Sequence, residues 1–355
     1  MVNQQFNPSV TELQPALGMQ SKGKPALPLR RWLRFLVVYS ILGLLLYFAL
    51  RNAPFAEIWN ALKGLQLSQI GLLLIINAIV IASMTARWWI IVRAENPSVP
   101  FFPLIGYRLS VFGVSYFTLG PQVGGEPLQV LYLQRNHGLT FARATSAVIM
   151  DKLFEFLINF LLIGIGAWSI VRVGIFSGNG IRLTLSLIGL AVLLMWPLVH
   201  ILLLYNGKYP ISKILFSQPF IQQKNKTIRL IVVAERMASA FCRKHIGALF
   251  LSLGASVLAM LGIVLEYYLM INFLGMKINA VQIFAALTSM QVAFLMPLPG
   301  GLGALEASQV FALGAFGQTA SAAISLTLLM RARDILNGGI GLLLAGRGFK
   351  DKIES

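Results

Sequence analysis

Six apolar blocks run along this chain, at residues 33–50, 70–92, 153–171, 183–204, 247–273 and 320–345. The hydrocarbon core of a bilayer is ~30 Å thick, and roughly 20 helical residues cross it. A segment inside lipid finds no water for its backbone, so it has to close its own hydrogen bonds as a helix. The blocks therefore predict an all-α, polytopic membrane bundle. Composition agrees: 57% of the 355 residues are hydrophobic and 12% are charged, against about 25% charged in a soluble domain.

The formal net charge of +17 would suit a nucleic-acid binder, but its placement argues against one. Most of the surplus lies just outside the apolar blocks, as membrane topology demands. Arg30, Arg31 and Arg34 introduce the first block, and residues 205–245 hold eight lysines and arginines against the single acid Glu235. Both segments are expected on the cytoplasmic side. The loops at 51–69, 172–182 and 275–279 carry few charges and fit the outer side. Six full spans in the plasma membrane with both termini cytoplasmic satisfy these assignments. Residues 1–29 read as a disordered cytoplasmic tail, 30–347 as one transmembrane domain, and 348–355 as a second tail.

Local signals refine this layout. The triplet Arg87-Trp88-Trp89 near the end of the second block reads as an interfacial anchor, with arginine reaching toward headgroups. Within the basic loop 205–246, residues 224–244 place Ile228, Ile231, Val232, Ala234, Met237 and Phe241 at helical intervals. This predicts an amphipathic surface helix contacting anionic lipid. The lone cysteine, Cys242, excludes an intramolecular disulfide. His137, His200 and His245 are scattered, so no metal site is expected. The absence of a GxxxxGK[ST] loop speaks against ATP hydrolysis, and no cofactor is expected.

Two apolar regions, 101–150 and 280–317, begin and end on one side of the membrane. Each is broken by a proline–glycine cluster, "LGPQVGGEPLQ" at 119–129 and "MPLPGGLGALEA" at 296–307. Such backbone is tolerated at depth only when buried in protein or lining a wet cavity. We therefore expect two re-entrant helical hairpins dipping from opposite faces. Each cluster runs from proline to a glycine pair to a glutamate, and a long charged helix follows. That pattern is an inverted repeat of about 101–172 against 280–346, which points to a transport site near the midplane.

The residue types carry the chemistry. Pro121 and Pro299 stop a helix, and Gly124, Gly125, Gly300, Gly301 and Gly303 allow a tight turn. A helix that restarts after the turn presents free N–H groups favourable to phosphate. The same field stabilises Glu126 and Glu306, so either acid can be a simple cap. Asp151, Glu155 and Asn159 share one helix face and predict a polar cavity wall, the alternative being a charged mouth of the span. Arg331 lies deep in an apolar stretch; Asp334, three residues on, can pair with it. Phosphate or Glu306 would equally explain it. Arg108, Glu266 and Arg333 complete the intramembrane charges.

"PQVGGEPLQVLYLQR", "SAVIMDKLFEF", "MPLPGGLGALEAS" and "LLMRARD" together resemble the lysylphosphatidylglycerol synthase transmembrane-region, or flippase-like, family. The resemblance covers nearly the whole chain after the first tail. It implies handling of lipid-linked polar headgroups, as in the membrane half of bacterial multiple peptide resistance factors. Gly124, Gly125, Glu126 and Asp151 match the family's first motif, and Pro299, Gly300, Gly301, Gly303, Glu306 and Arg331 its second. Gln129 and Lys152 stand where many members carry arginine, which weakens bidentate oxyanion binding. The aminoacyl-transferase domain of true synthases has no counterpart in these residues, so synthesis of lysylphosphatidylglycerol is not expected. The leading expectation is a lipid translocator acting on an anionic phospholipid or a polyprenyl-phosphate-linked lipid. A membrane-embedded transferase with Glu306 or Asp151 as base, and a partner organising lipid-synthesis enzymes, remain the alternatives.

Overall fold

The computed structural model describes residues 55–118, 124–173, 195–217, 226–296 and 298–350. The tail at 1–29, the first expected span at 33–50, Pro121, Pro297, residues 183–194 of the fourth span and residues 351–355 of the last tail lie outside them.

Every described element is helical. They are α1 (Phe55–Lys63), α2 (Leu67–Glu95), α3 (Phe101–Phe117), α4 (Glu126–His137), α5 (Phe141–Val173) and α6 (Met195–Tyr205). Then come α7 (Pro210–Ser217), α8 (Lys226–Lys244), α9 (Ile246–Phe273), α10 (Ala280–Leu295), a 3₁₀ turn (Pro299–Gly301), α11 (Ala304–Gly314) and α12 (Ala320–Lys350). Among the described residues, α2, α5 and α9 are long and apolar enough to cross a membrane. At 31 residues α12 has the length too, but Arg331, Arg333 and Asp334 interrupt its apolar run. Helix α5 begins at Phe141 rather than near residue 153. The charges at 151 and 152 end the apolar window without ending the helix, because both side chains find ionic partners inside the protein.

The body is apolar outside and ionic within. Leu72, Ile75 and Ile79 of α2, Leu161 and Trp168 of α5, and Leu258 and Leu261 of α9 face outward, whereas Arg87, Asp151, Arg331 and Asp334 are buried. A bilayer requires this inversion of the soluble pattern.

Three helix pairs make the frame: α2 on α9, α3 on α12, and α5 on α10. The last two cross almost backbone to backbone. A Cβ built on Gly341 of α12 would lie 1.9 Å from the Leu109 carbonyl oxygen of α3, and one on Gly113 of α3 would lie 2.5 Å from that of Gly338. At the α5–α10 crossing, a Cβ on Gly166 would overlap Thr288 and approach the Phe284 carbonyl to 2.7 Å. Small residues at such contacts let dispersion and close packing replace the hydrophobic drive that lipid does not supply. The segments α3–α4–α5, of 17, 12 and 33 residues, have near matches in α10–α11–α12, of 16, 11 and 31.

Helix α8 has the expected amphipathic character, but its apolar face does not look outward to lipid. Val232, Val233, Ala234, Ala238, Phe241 and Cys242 are buried, with α8 packed against α5. Glu235, also buried, accepts the Ile211 and Ser212 N–H groups at 2.7 and 2.8 Å and so caps α7. Burial pushes the Cys242 thiol up to about 12, which leaves it protonated and unreactive at neutral pH.

Candidate functional site

Two ionic clusters face each other across the centre of the body. The first is organised by α5. Asp151, fully buried, accepts Arg87 Nε from α2 at 2.6 Å on one oxygen and Arg108 Nη1 from α3 at 2.6 Å on the other. One turn on, Glu155 Oε2 accepts an Nη2 from each of the same arginines at 3.2 Å. Its second oxygen takes Lys152 Nζ at 3.1 Å, and Lys152 also reaches Glu126 Oε1 of α4 at 3.2 Å. Three cations thus meet three carboxylates. Buried charges are tolerated when they are paired and hydrogen-bonded in this way.

The second cluster is organised by α12. Arg331, 3% exposed, pairs with Glu306 of α11 and donates Nη1 to the Gly300 carbonyl at 3.3 Å. Arg333 donates to Glu266 of α9 at 2.8 Å and to its neighbour Asp334 at 2.8 Å. Arg331 and Asp334 therefore do not form the intrahelical pair that their spacing permits; Arg331 takes the Glu306 alternative. The amides of Asn337 and Asn77 join α12 to α2 at 3.0 Å.

The glycine-rich turns place both glutamates alike. Glu126 Oε2 accepts the Gly124 N–H at 2.8 Å, and Glu306 Oε2 accepts the Gly303 N–H at 2.9 Å. Each acid caps its helix with one oxygen and holds a cation with the other, so the cap reading and the ion-pair reading are both realised. Glycine is required at Gly125, where a Cβ would lie 2.5 Å from Val111 and 2.7 Å from its carbonyl oxygen. It is required at Gly300 as well, where φ is +56° and a Cβ would press on the Tyr116 ring at 3.0 Å. Tyr116 stands near the end of α3, so the first broken region rests directly on the second turn.

Between the clusters lies a cavity of about 200 Å³. Arg108, Lys152, Glu155 and Asn159 line it from the first side, and Glu266, Arg333, Asp334 and Asn337 from the second. Of the residues expected at a site, Glu155 and Asp334 reach this cavity directly. Asp151 stands behind it, holding Arg108. Glu126 lies with Lys152 along a second, more apolar groove between α4 and α5. Pro299 opens the 3₁₀ turn, and Gly301, with φ +63°, and Gly303, with φ +79°, carry the chain into α11. That turn, with Glu306 and Arg331, forms a separate link behind the cavity.

The sequence reading missed Arg87. It is 2% exposed and serves the buried carboxylates rather than a headgroup boundary. Trp88 is buried as well. Trp89 and Arg93 make the peripheral contact instead, with the indole donating to the Val99 carbonyl at 2.9 Å and the guanidinium 4.8 Å from its ring. The available signal was arithmetic: Asp151 and Glu155 on one helix face call for two arginines, and Arg108 is only one. The amides Asn77 and Gln291, which also line the cavity, were missed too, whereas Gln129, noted for its departure from the family's arginine, does reach it.

Comparison with known proteins gives two matches. The sequence profile of the lysylphosphatidylglycerol synthase TM region matches residues 31–338. A UPF0104 membrane protein of Methanothermobacter thermautotrophicus is 33% identical over 135 residues, which is 38% of this chain and 36% of that protein. No solved structure matches.

Proposed function

The chain belongs to the lysylphosphatidylglycerol synthase transmembrane-region family, and on that premise we propose that it translocates the polar headgroup of a membrane lipid across the plasma membrane. The observation that carries this reading is the polar cavity walled by both clusters inside an apolar exterior. A headgroup crosses through the cavity while its tails stay in the bilayer. Arg108 and Arg333 supply guanidinium forks suited to a phosphate, exchanging carboxylate partners for phosphate oxygens. Glu155 and Asp334, released in that exchange, accept an ammonium or a proton. Glu306 holds Arg331 and with it the second turn, fixing the wall against which the headgroup moves.

The test is purified protein in liposomes with a labelled phospholipid or polyprenyl phosphate, following transfer between leaflets. Wild type is expected to move lipid, and Arg333→Gln and Glu306→Ala to slow it at least about tenfold, the effect of ~1.4 kcal/mol at the barrier. Equal rates for wild type and Glu306→Ala would remove the role given to that acid. Product formed from lipid and an activated donor would replace transport with transfer chemistry.

A further inference from the structure

The two clusters do not balance alike. In the first, Arg87, Arg108 and Lys152 answer Asp151, Glu155 and Glu126, and each of the four oxygens of Asp151 and Glu155 accepts a cationic donor. In the second, Arg331 and Arg333 face three acids, Glu306, Glu266 and Asp334. Arg331 is committed to Glu306, so the single guanidinium of Arg333 divides between Glu266 and Asp334. One negative charge is left over in a place where an uncompensated charge is strongly disfavoured.

The surplus has an address. Glu266 is 1% exposed and lines the cavity. Its Oε2 takes Arg333, whereas its Oε1 is buried with no hydrogen-bond partner. The Asn77 amide of α2 lies within hydrogen-bonding reach of this carboxylate, and Gln291 of α10 and Asn337 of α12 line the same cavity. Carboxylate and amide oxygens are hard donors, suited to a proton or a small alkali cation and poorly suited to soft metals.

We propose that Glu266 is a binding site for one positive charge, a proton or a small monovalent cation, taken up from the central cavity. The inference deepens the translocation reading by giving it a coupling ion. The charged groups around Glu266 are Arg333 and Asp334 on α12, with Lys152 and Glu155 of α5 and Arg108 of α3 across the cavity. Helices α2 and α10 line it with amides and apolar side chains and with no charged group. Helix α8 meets α9 at its other end and turns its acid, Glu235, toward α7. An ion bound at Glu266 leaves Arg333 to Asp334 alone. Loss of the ion draws Arg333 back, so occupancy of Glu266 sets how free Arg333 is to take a headgroup.

Thermal unfolding of the purified full chain tests this without reference to transport. If the folded state keeps a proton that the unfolded chain releases, stability falls as pH rises. If the site takes sodium, Tm at fixed alkaline pH rises by about 2 °C per tenfold increase above the dissociation constant. Wild type is expected to show one of these dependences. Glu266→Gln, which mimics the neutralised side chain at nearly equal volume, is expected to lose it while keeping a Tm close to that of the ion-loaded wild type. A wild type insensitive to both pH and sodium, or a Glu266→Gln variant with the wild-type dependence, would overturn the proposal. Ion dependence without lipid movement would leave the site standing and remove translocation. Lipid movement without ion dependence would do the reverse.

Discussion

Helices α3–α4–α5 and α10–α11–α12 are built to nearly the same lengths and share a glutamate that caps a helix beside a glycine turn, yet their charges are dealt in opposite ways. In the first, the acids sit on the long helix α5 and the arginines arrive from α2 and α3. In the second, the arginines sit on α12 together with Asp334, and the other two acids arrive from α9 and α11. What the two share is that an ion pair must be made at the middle of the long helix, whichever side contributes the cation. The difference lies in completeness: the first cluster is saturated and reads as a fixed strut, whereas the second is one cation short and can respond to a ligand.

The comparison makes predictions of graded size. Asp151→Ala is expected to be the most damaging single change. It leaves Arg87 and Arg108 to compete for one oxygen of Glu155 and should cost about 3–5 kcal/mol, read as a collapse of Tm in detergent. The Asp334→Ala change should cost clearly less, because Arg333 keeps Glu266; equal losses would erase the contrast between strut and responsive cluster. Next comes the close crossing of α3 and α12. Gly341→Ala forces a Cβ into the Leu109 carbonyl, for which ~1–3 kcal/mol is the usual overpacking cost. Gly166→Ala should fall in the same range at the α5–α10 crossing, by the same assay. If only one of the two matters, the crossings are not equivalent.

Smaller effects separate the two capping acids. Glu306→Gln leaves Arg331 deprived of its carboxylate and should cost roughly 2 kcal/mol. Glu126→Gln leaves Lys152 with Glu155 and should cost under about 1 kcal/mol. Chemical denaturation of the two variants side by side reads the difference, and a Glu126 effect as large as that of Glu306 would show that Glu155 alone does not keep Lys152 paired.

Much of this was legible in the residues. Apolar block length predicted the long helices, and the Pro-Gly-Glu clusters predicted where helices break. The depth of Arg331 within its apolar stretch already demanded an anion, and Glu306 was among the candidates. Three things were hidden, all tertiary. Arg87 sits beside two tryptophans at the end of an apolar block, a local pattern identical to an interfacial anchor. Only the packing of α2 against α5 turns it inward. The periodicity of α8 revealed an apolar face but not what would cover it, and α5 covers it instead of lipid. The imbalance at Glu266 required knowing that Arg331 is spent on Glu306, which the nearer Asp334 obscured.

The crossings also constrain how such a body can move. Because α3 lies on α12 and α10 on α5, each three-helix segment grips the long helix of the other, like two clasped hands. Neither can swing away as a separate block without unclasping both grips at once. The two grips differ in texture: Gly113 and Gly341 meet backbone at the α3–α12 crossing, whereas the Thr288 side chain fills the notch at Gly166 in the α5–α10 crossing. A side chain seated in a notch resists lengthwise slipping as well as separation, so the α5–α10 grip is the more firmly keyed of the two.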